Sequence, residues 1–229
     1  MSTSEKKGKI KILKDGPYFV TGNVHLSEKI IISKGKENKF IDGQEFPENE
    51  EYALCRCGKS KNAPFCDGSH VKIDFNGNEV ALRSKYEDRA ESLKGPNLDL
   101  LDDNRCAFAR FCHRNEGNVW ELTEHSDKQG YREEAIKGAS NCPSGRLVAM
   151  DKTGKPIEHE YEQSIEIIQD PEKKASGGIF VKGNIPIESS DGHMYEIRNR
   201  VVLCRCGESS DKPFCDAKHI QVKFSDKYK

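Results

Sequence analysis

No stretch of this sequence approaches the roughly 20 consecutive apolar residues that a membrane-spanning helix requires, so a bilayer span is not expected. Aromatic side chains make up only 8% of its 229 residues, and there is one tryptophan. Hydrophobic residues stop at 34%, against 33% charged. That is lean core material for a chain long enough to form two or three small domains. Neither sign of charge is in excess: 37 Lys and Arg face 38 Asp and Glu, a net charge of -1, which gives no global basic field for nucleic acid. The lysine-rich stretch at 5–14 reads as a solvated edge. There is no glycine-rich nucleotide loop and no nucleophile beside a recognisable base, so the chain is read as a carrier and not as an enzyme. No secretory signal is visible over residues 1–9, which points to the cytoplasm and a reducing environment.

What the chain does have is cysteine, nine in all. An odd count without a secretory signal argues against a disulfide framework. Six of the nine fall, with two histidines, into two copies of one spacing: Cys55, Cys57, Cys66 and His70, then Cys204, Cys206, Cys215 and His219. Three thiols and one imidazole complete a four-coordinate shell with no position left for water or substrate. Residues two apart on an extended strand share a face, so Cys55 and Cys57 can both reach inward around an outward Arg56, as can Cys204 and Cys206 around Arg205. Those arginines either tune the site's charge or are simply solvated. Cys66 and His70 are four apart, as are Cys215 and His219, the separation that places side chains on one face of a helical turn. Pro64 and Pro213 fix the approach, and Asp67 and Asp216 stand where an N-cap is useful. The same donor set also serves structural zinc, so a zinc-binding interaction module is the reading from a different class. Colour separates the two, because a zinc form is colourless.

These residues resemble the CDGSH iron-sulfur family, whose pattern is C-x-C-x2-[ST]-x3-P-x-C-D-G-[SAT]-H. The first copy, CRCGKSKNAPFCDGSH, fits throughout, including Ser60, Pro64, Asp67, Gly68 and Ser69. The second, CRCGESSDKPFCDAKH, keeps every ligand with Ser209, Pro213 and Asp216, but has Ala217 and Lys218 where Gly and a small residue are usual. The resemblance implies a 2Fe-2S cluster held by three Cys and one His in a small β-rich fold, with the His-bearing iron near solvent. It also implies electron transfer, or iron or cluster transfer.

The repeat extends beyond the ligands. IKILKD at 10–15 matches IEIIQD at 165–170, FVTGNV at 19–24 matches FVKGNI at 180–185, and VKIDF at 71–75 matches IQVKF at 220–224. Each copy is expected to run strand, turn, strand, clasp, strand, with the Gly-Asn pairs at 22 and 183 as turn signals. Between 30 and 50 the first copy is longer, and an added hairpin is expected there. One module is too small to bury its own sheet. The two are therefore expected to pack about a pseudo-twofold axis and to exchange a strand, as the homodimers of the resembled family do with identical chains.

Between the copies, LKGPN at 93–97 reads as a linker, followed by Cys106-x5-Cys112 and a distant Cys142-Pro143. Over 104–151 this resembles single-cluster ferredoxins, in which three Cys arrive as C-x2-C-x2-C and a distant C-P supplies the fourth. Ala109 occupies the central position of that run, which implies a 3Fe-4S cluster, or a 4Fe-4S cluster with one non-Cys ligand. A domain that has lost its cluster and keeps three buried Cys is the alternative. NVWEL at 118–122 is expected as a strand and 132–140 as a helix. Trp120 is expected as a core anchor of the insert. His25, His113, His125, His159 and His193 are expected to face solvent.

The combined expectation is an α+β protein: a CDGSH-like module at 1–94, a ferredoxin-like α+β insert at 95–155 and a second CDGSH-like module at 156–229. It would hold two 2Fe-2S clusters and a third 3Fe-4S or 4Fe-4S cluster, and move single electrons. Cluster storage or donation is the rival in the same chemical class. The expected partners are redox or cluster-acceptor proteins, with neither nucleic acid nor a membrane. A monomer suffices, because the two modules can pair within one chain.

Overall fold

A computed structural model describes residues 7–227; residues 1–6, which include part of the lysine-rich start and of the stretch read for a signal, lie outside them. The first copy supplies strands β1 (Lys9–Ile12), β2 (Tyr18–Thr21), β3 (His25–Lys34), β4 (Glu37–Glu45) and β5 (Glu51–Leu54), then the short helix α1 (Ser69–Lys72). The middle of the chain carries α2 (Tyr86–Arg89), β6 (Glu91–Lys94), β7 (Asp99–Asp102), β8 (His113–Arg114), β9 (Gly117–Asn118), α3 (Val119–Glu124), α4 (Tyr131–Ser140), β10 (Leu147–Met150) and β11 (Pro156–Ile157). The second copy supplies β12 (Ser164–Asp170), β13 (Ala175–Lys182), β14 (Ile187–Glu188), β15 (Arg200–Leu203) and α5 (Lys218–Gln221). The class is α+β, with sheet predominating.

Alternating apolar positions in β1, β2, β12 and β13 demand a partner for one face of each hairpin. The chain meets that demand by exchange. One sheet runs β14-β1-β2-β5 and the other β15-β13-β12-β3-β4. β3 leaves the first copy to lie parallel to β12, with Leu26 opposite Ile165, and β14 returns to lie parallel to β1, with Ile187 opposite Ile10. The Gly-Asn turns adopt positive φ, 93° and 55° at Gly22 and Asn23, 77° and 58° at Gly183 and Asn184. Here they redirect a strand into the other copy's sheet and do not close a hairpin. A Cβ on Gly22 would sit 2.7 Å from the Lys7 carbonyl, and one on Gly183 2.5 Å from the Gln163 nitrogen, so only glycine allows the chain to pass. One core results. Ile10, Ile12, Val20 and Leu54 pack with Ile165, Ile167, Val181 and Leu203 between the sheets. The added hairpin is β3–β4, with Ile31 opposite Phe40.

The insert has its own sheet, β11-β10-β7-β6, and a core in which Leu98, Leu100 and Leu147 meet Val119 and Leu122 of α3 and Ala135 and Ala139 of α4. Three sequence expectations give way here. Leu93 and Lys94, read as linker, end strand β6, which pairs with β7, so the insert's sheet begins at Glu91 and not after residue 94. The expected strand at 118–122 is helix α3. Asn118 accepts from the Glu121 N–H at 3.0 Å and Glu121 returns to the Asn118 N–H at 3.1 Å, and this capping box outweighs the β preference of Val119 and Trp120. Segments 71–75 and 220–224, expected as strands, begin as helical turns, because the Cys-to-His spacing just before them already commits the backbone to a turn. The helix expected at 132–140 is α4. Among the described residues no helix is long and apolar enough to cross a membrane.

Candidate metal centres

Strands β5 and β15 end one residue before Cys55 and Cys204, and the C-x-C runs lie in the bends that follow. Each bend is tied back to the loop that brings the other ligands. The Cys55 N–H donates to the Pro64 carbonyl at 2.8 Å and the Cys66 N–H to the Ala53 carbonyl at 2.9 Å; Cys204 to Pro213 and Cys215 to Val202 repeat these at 2.8 and 2.9 Å. Ser60 and Ser209 donate to the Phe65 and Phe214 carbonyls at 2.6 and 2.7 Å. Asp67 accepts from the N–H groups of Lys61 and Ser69, and Asp216 from those of Ser210 and Lys218. Asp67 therefore braces the loop on both sides and is not itself the N-cap, a place taken by Gly68 at φ 82°.

The ligands converge as expected. Cys55 and Cys57 Sγ are 3.8 Å apart and Cys204 and Cys206 Sγ 3.6 Å, while Nδ1 of His70 lies 3.4 Å from Cys66 Sγ and Nδ1 of His219 3.5 Å from Cys215 Sγ. All nine cysteines are free thiols. The donor set suits a soft, positively charged group. The neighbouring Cys57 thiol, with help from the N–H groups of Ser60, Gly58 and Lys59, holds Cys55 at about 6, below the usual thiol range. Cys206 and the N–H groups of Ser209 and Gly207 do the same for Cys204, also about 6. One thiol of each pair is thus the readier to ionise, while the hydrogen bond to it and burial push its partner, Cys57 or Cys206, up.

Ala217 takes the left-handed conformation of Gly68, φ 67°, so the second loop keeps its shape at the cost of strain. Nothing lies within 4 Å of a Cβ placed on Gly68, so Gly68→Ala is expected to cost about 1 kcal/mol from backbone strain alone, and Ala217→Gly to gain up to a similar amount. Chemical denaturation of the two variants checks this; equal destabilisation by both would contradict it.

The two clasps touch. A Cβ on Gly58 would be 2.5 Å from the Cys206 carbonyl oxygen, and one on Gly207 2.6 Å from that of Cys57, so the bend of each clasp rests on the backbone of the other. Tyr18, fully buried, crosses the junction: its hydroxyl donates to the Cys204 and Pro213 carbonyls at 2.7 and 3.1 Å. Nothing in the spacing pointed to Tyr18, because the contact spans 186 positions. Arg56 and Arg205 are not outward and solvated as one reading had it; they are 2% and 3% exposed.

The surroundings differ. Cys66 and His70 are partly exposed, whereas Cys215 and His219 are each 4% exposed. The difference arises in part from the insert. Ala107, Ala109 and Phe111 pack with Phe180, Val202 and Cys215, and the Arg105 guanidinium lies 4.3 Å over the Phe214 ring while pairing with Asp211 at 3.0 Å. In the insert itself Cys106, Cys112 and Cys142 line one small cavity with Phe111, Trp120, Ser144 and Arg146. Burial, then the nearby Cys142 and Cys106, pushes the Cys112 thiol up to about 11. The Phe108 N–H points at Cys106 Sγ at 3.3 Å from a backbone bent through positive φ at Phe108 and Arg110, 57° and 63°. Ser144 Oγ, 3.4 Å from Cys142 Sγ, is an oxygen donor beside the three thiols. Ala109 supplies no ligand atom, and His113 is exposed on β8, outside the cavity. Trp120 packs on the insert core and donates to Asp102 at 3.1 Å, under the Arg146 guanidinium.

Comparison with known families agrees with this arrangement. The family described as iron-binding zinc finger, CDGSH type, matches residues 15–71 and 176–220, and the divergent 4Fe-4S mono-cluster family matches residues 93–152. No curated protein and no solved structure matches the chain. Free thiols, converging ligand sets and two family matches of iron-binding type make this an iron-sulfur protein, in which tandem CDGSH-type segments flank a divergent 4Fe-4S mono-cluster segment.

Proposed function

We propose that the protein carries single electrons between three iron-sulfur sites in the order insert, second clasp, first clasp. The observation that carries this reading is the unbroken packing from the Cys106–Cys112 loop through Cys215 to the Gly58 and Gly207 contacts between the clasps. Cys55, Cys57, Cys66 and His70 would hold one 2Fe-2S group, Cys204, Cys206, Cys215 and His219 a second, and Cys106, Cys112 and Cys142 a 3Fe-4S or 4Fe-4S group. When bound, such groups supply one-electron uptake and release, and a neutral imidazole in place of a thiolate makes uptake easier. The chain's own residues do the rest. The insert excludes water from the second clasp, Tyr18 fixes the junction between the clasps, and the partly exposed His70 marks the face open to a redox partner protein.

The reciprocal exchange of β3 and β14, with the matched bonds of the two clasps, supports a pseudo-twofold relation between the modules. The chain thus supplies within itself the pairing that a single module would need a second copy to obtain, so we infer a monomeric carrier, not an enzyme, working in a reducing compartment. The exposure of His70 also favours a second reading, donation of a cluster from the first clasp to an acceptor protein.

Iron and acid-labile sulfide per chain, measured on anaerobically purified protein, test the proposal. About seven or eight irons are expected; about four would leave the insert empty, and a colourless protein holding zinc would overturn the reading. Transfer of colour to an apo-acceptor, without loss of reducible signal from the second clasp, would favour donation.

A further inference from the structure

The two arginines inside the C-x-C runs occupy matching places but differ in one respect. Arg205 is neutralised. Its guanidinium pairs with Asp226 and donates to the Gly177 carbonyl at 2.8 Å, while Asp226 is further held by Gln169 and Ser176. Burial pushes the Asp226 carboxyl up, but Arg205's charge and hydrogen bonds win and hold it at about 2, so the pair carries no net charge. Arg56 donates to the Gly77 carbonyl, yet its Nε and Nη1 are buried without a hydrogen-bond partner, and it forms no ion pair among the described residues. Counting from the phenylalanines on which the two guanidiniums stack, Phe75 and Phe224, Gly77 stands where Asp226 stands. Asp15, which reaches that turn, spends Oδ1 on the Gly77 N–H at 2.9 Å.

A buried cation held by a carbonyl and aromatic rings but no carboxylate is costly unless something anionic lies close. Arg56 sits between Cys55 and Cys57 in the chain, and the Phe75 ring on which it stacks packs on both thiols. We propose that the uncompensated Arg56 is the counter-charge of the first clasp and makes it the higher-potential site of the two, so that an electron entering the pair settles there. This rests on both clasps holding 2Fe-2S groups. The greater exposure of the first clasp acts in the same direction, so variants are needed to isolate the charge. Tyr18 lies on the other side of Arg56, 5.7 Å from the guanidinium, and links it to the second clasp; both midpoints must therefore be followed.

The test is a redox titration of the full holoprotein followed by electron paramagnetic resonance, with the first clasp identified by the altered signal of His70→Cys. The wild type is expected to show two midpoints, the higher at the first clasp. Arg56→Gln should lower that midpoint by at least 59 mV, a tenfold change in its one-electron equilibrium, and Arg56→Lys should largely preserve it. Asp226→Asn should raise the second midpoint more than the first, a comparison needed because Asp226 and Arg205 also line a cavity with Cys55, and it keeps the proposal testable if Arg56→Gln fails to fold. Equal midpoints, a higher second midpoint, or coloured variants with unmoved potentials would overturn this inference alone. An iron-free protein would overturn the proposed function beneath it.

Discussion

Arg200→Ala is expected to destabilise the protein by about 3–5 kcal/mol and to empty the insert of iron. The Arg200 side chain is 1% exposed and stands at the start of β15, the strand that leads into Cys204. Its guanidinium donates to the carbonyls of Ala139 and Ser140 at 2.8 Å and of Leu147 at 3.0 Å, also reaches the Cys142 carbonyl, and pairs with Glu158 at 2.6 Å. One side chain therefore satisfies the end of α4, the turn bearing Cys142 and a carboxylate. Gly145 of that turn, at φ 65°, passes so close that a Cβ there would sit 2.4 Å from the Arg200 carbonyl oxygen. Removing one partner of a buried charged network leaves the other unpaired, which is the source of the large cost. Lysine keeps a charge but not the planar fork, so Arg200→Lys should fall between wild type and alanine. Denaturant unfolding with iron analysis reads both effects. A loss below about 1 kcal/mol with the insert's iron retained would remove Arg200 as the link between insert and second clasp.

The second large effect is on acid stability. Burial first, then the charge of Arg205, pushes His219 down to about 4, so its imidazole stays neutral and able to ligate well below neutrality. A protonated imidazole cannot bind a metal. His70, partly exposed and without the insert over it, lets acid reach the first clasp first. Visible absorbance is therefore expected to fall in two steps on acidification, the first clasp losing its cluster before the second, and His70→Cys should abolish the earlier step. The sign for folding of the metal-free chain follows from the same residue. Its folded value lies below the unfolded one of about 6.5, so the unfolded chain binds the proton more readily. Stability should be full above about pH 6.5 and decline as pH falls toward 4. Simultaneous loss of both clusters, or earlier loss of the second, would contradict this ordering.

Much of the site was legible before any coordinates. The spacings showed which Cys and His converge but not how: the C-x-C runs lie in bends beyond β5 and β15 and not on a strand, and Cys66 and Cys215 precede the turns that carry His70 and His219. What was misread was also local but finely balanced. Asn118 and Glu121 turned a stretch of β-favouring residues into a helix through two capping bonds, and Leu93 and Lys94, the last two residues of the short strand Glu91–Lys94, passed for a linker beside Gly95 and Pro96. Asp226 could have been found by extending the repeat comparison past Phe75 and Phe224. Tyr18 and Arg200 could not, since their partners lie far along the chain.

The amino-acid order alone determined the ligand sets, their duplication and the chemistry they favour, because side-chain type and short-range spacing settle those. Only the tertiary structure decided which copy the insert covers, how β3 and β14 change places, and that Arg56 and Arg205 lie buried with unequal compensation. An alternating pattern says that a strand has a face to bury, but not against what, and charge is balanced or left unbalanced by whichever residues long-range packing brings together.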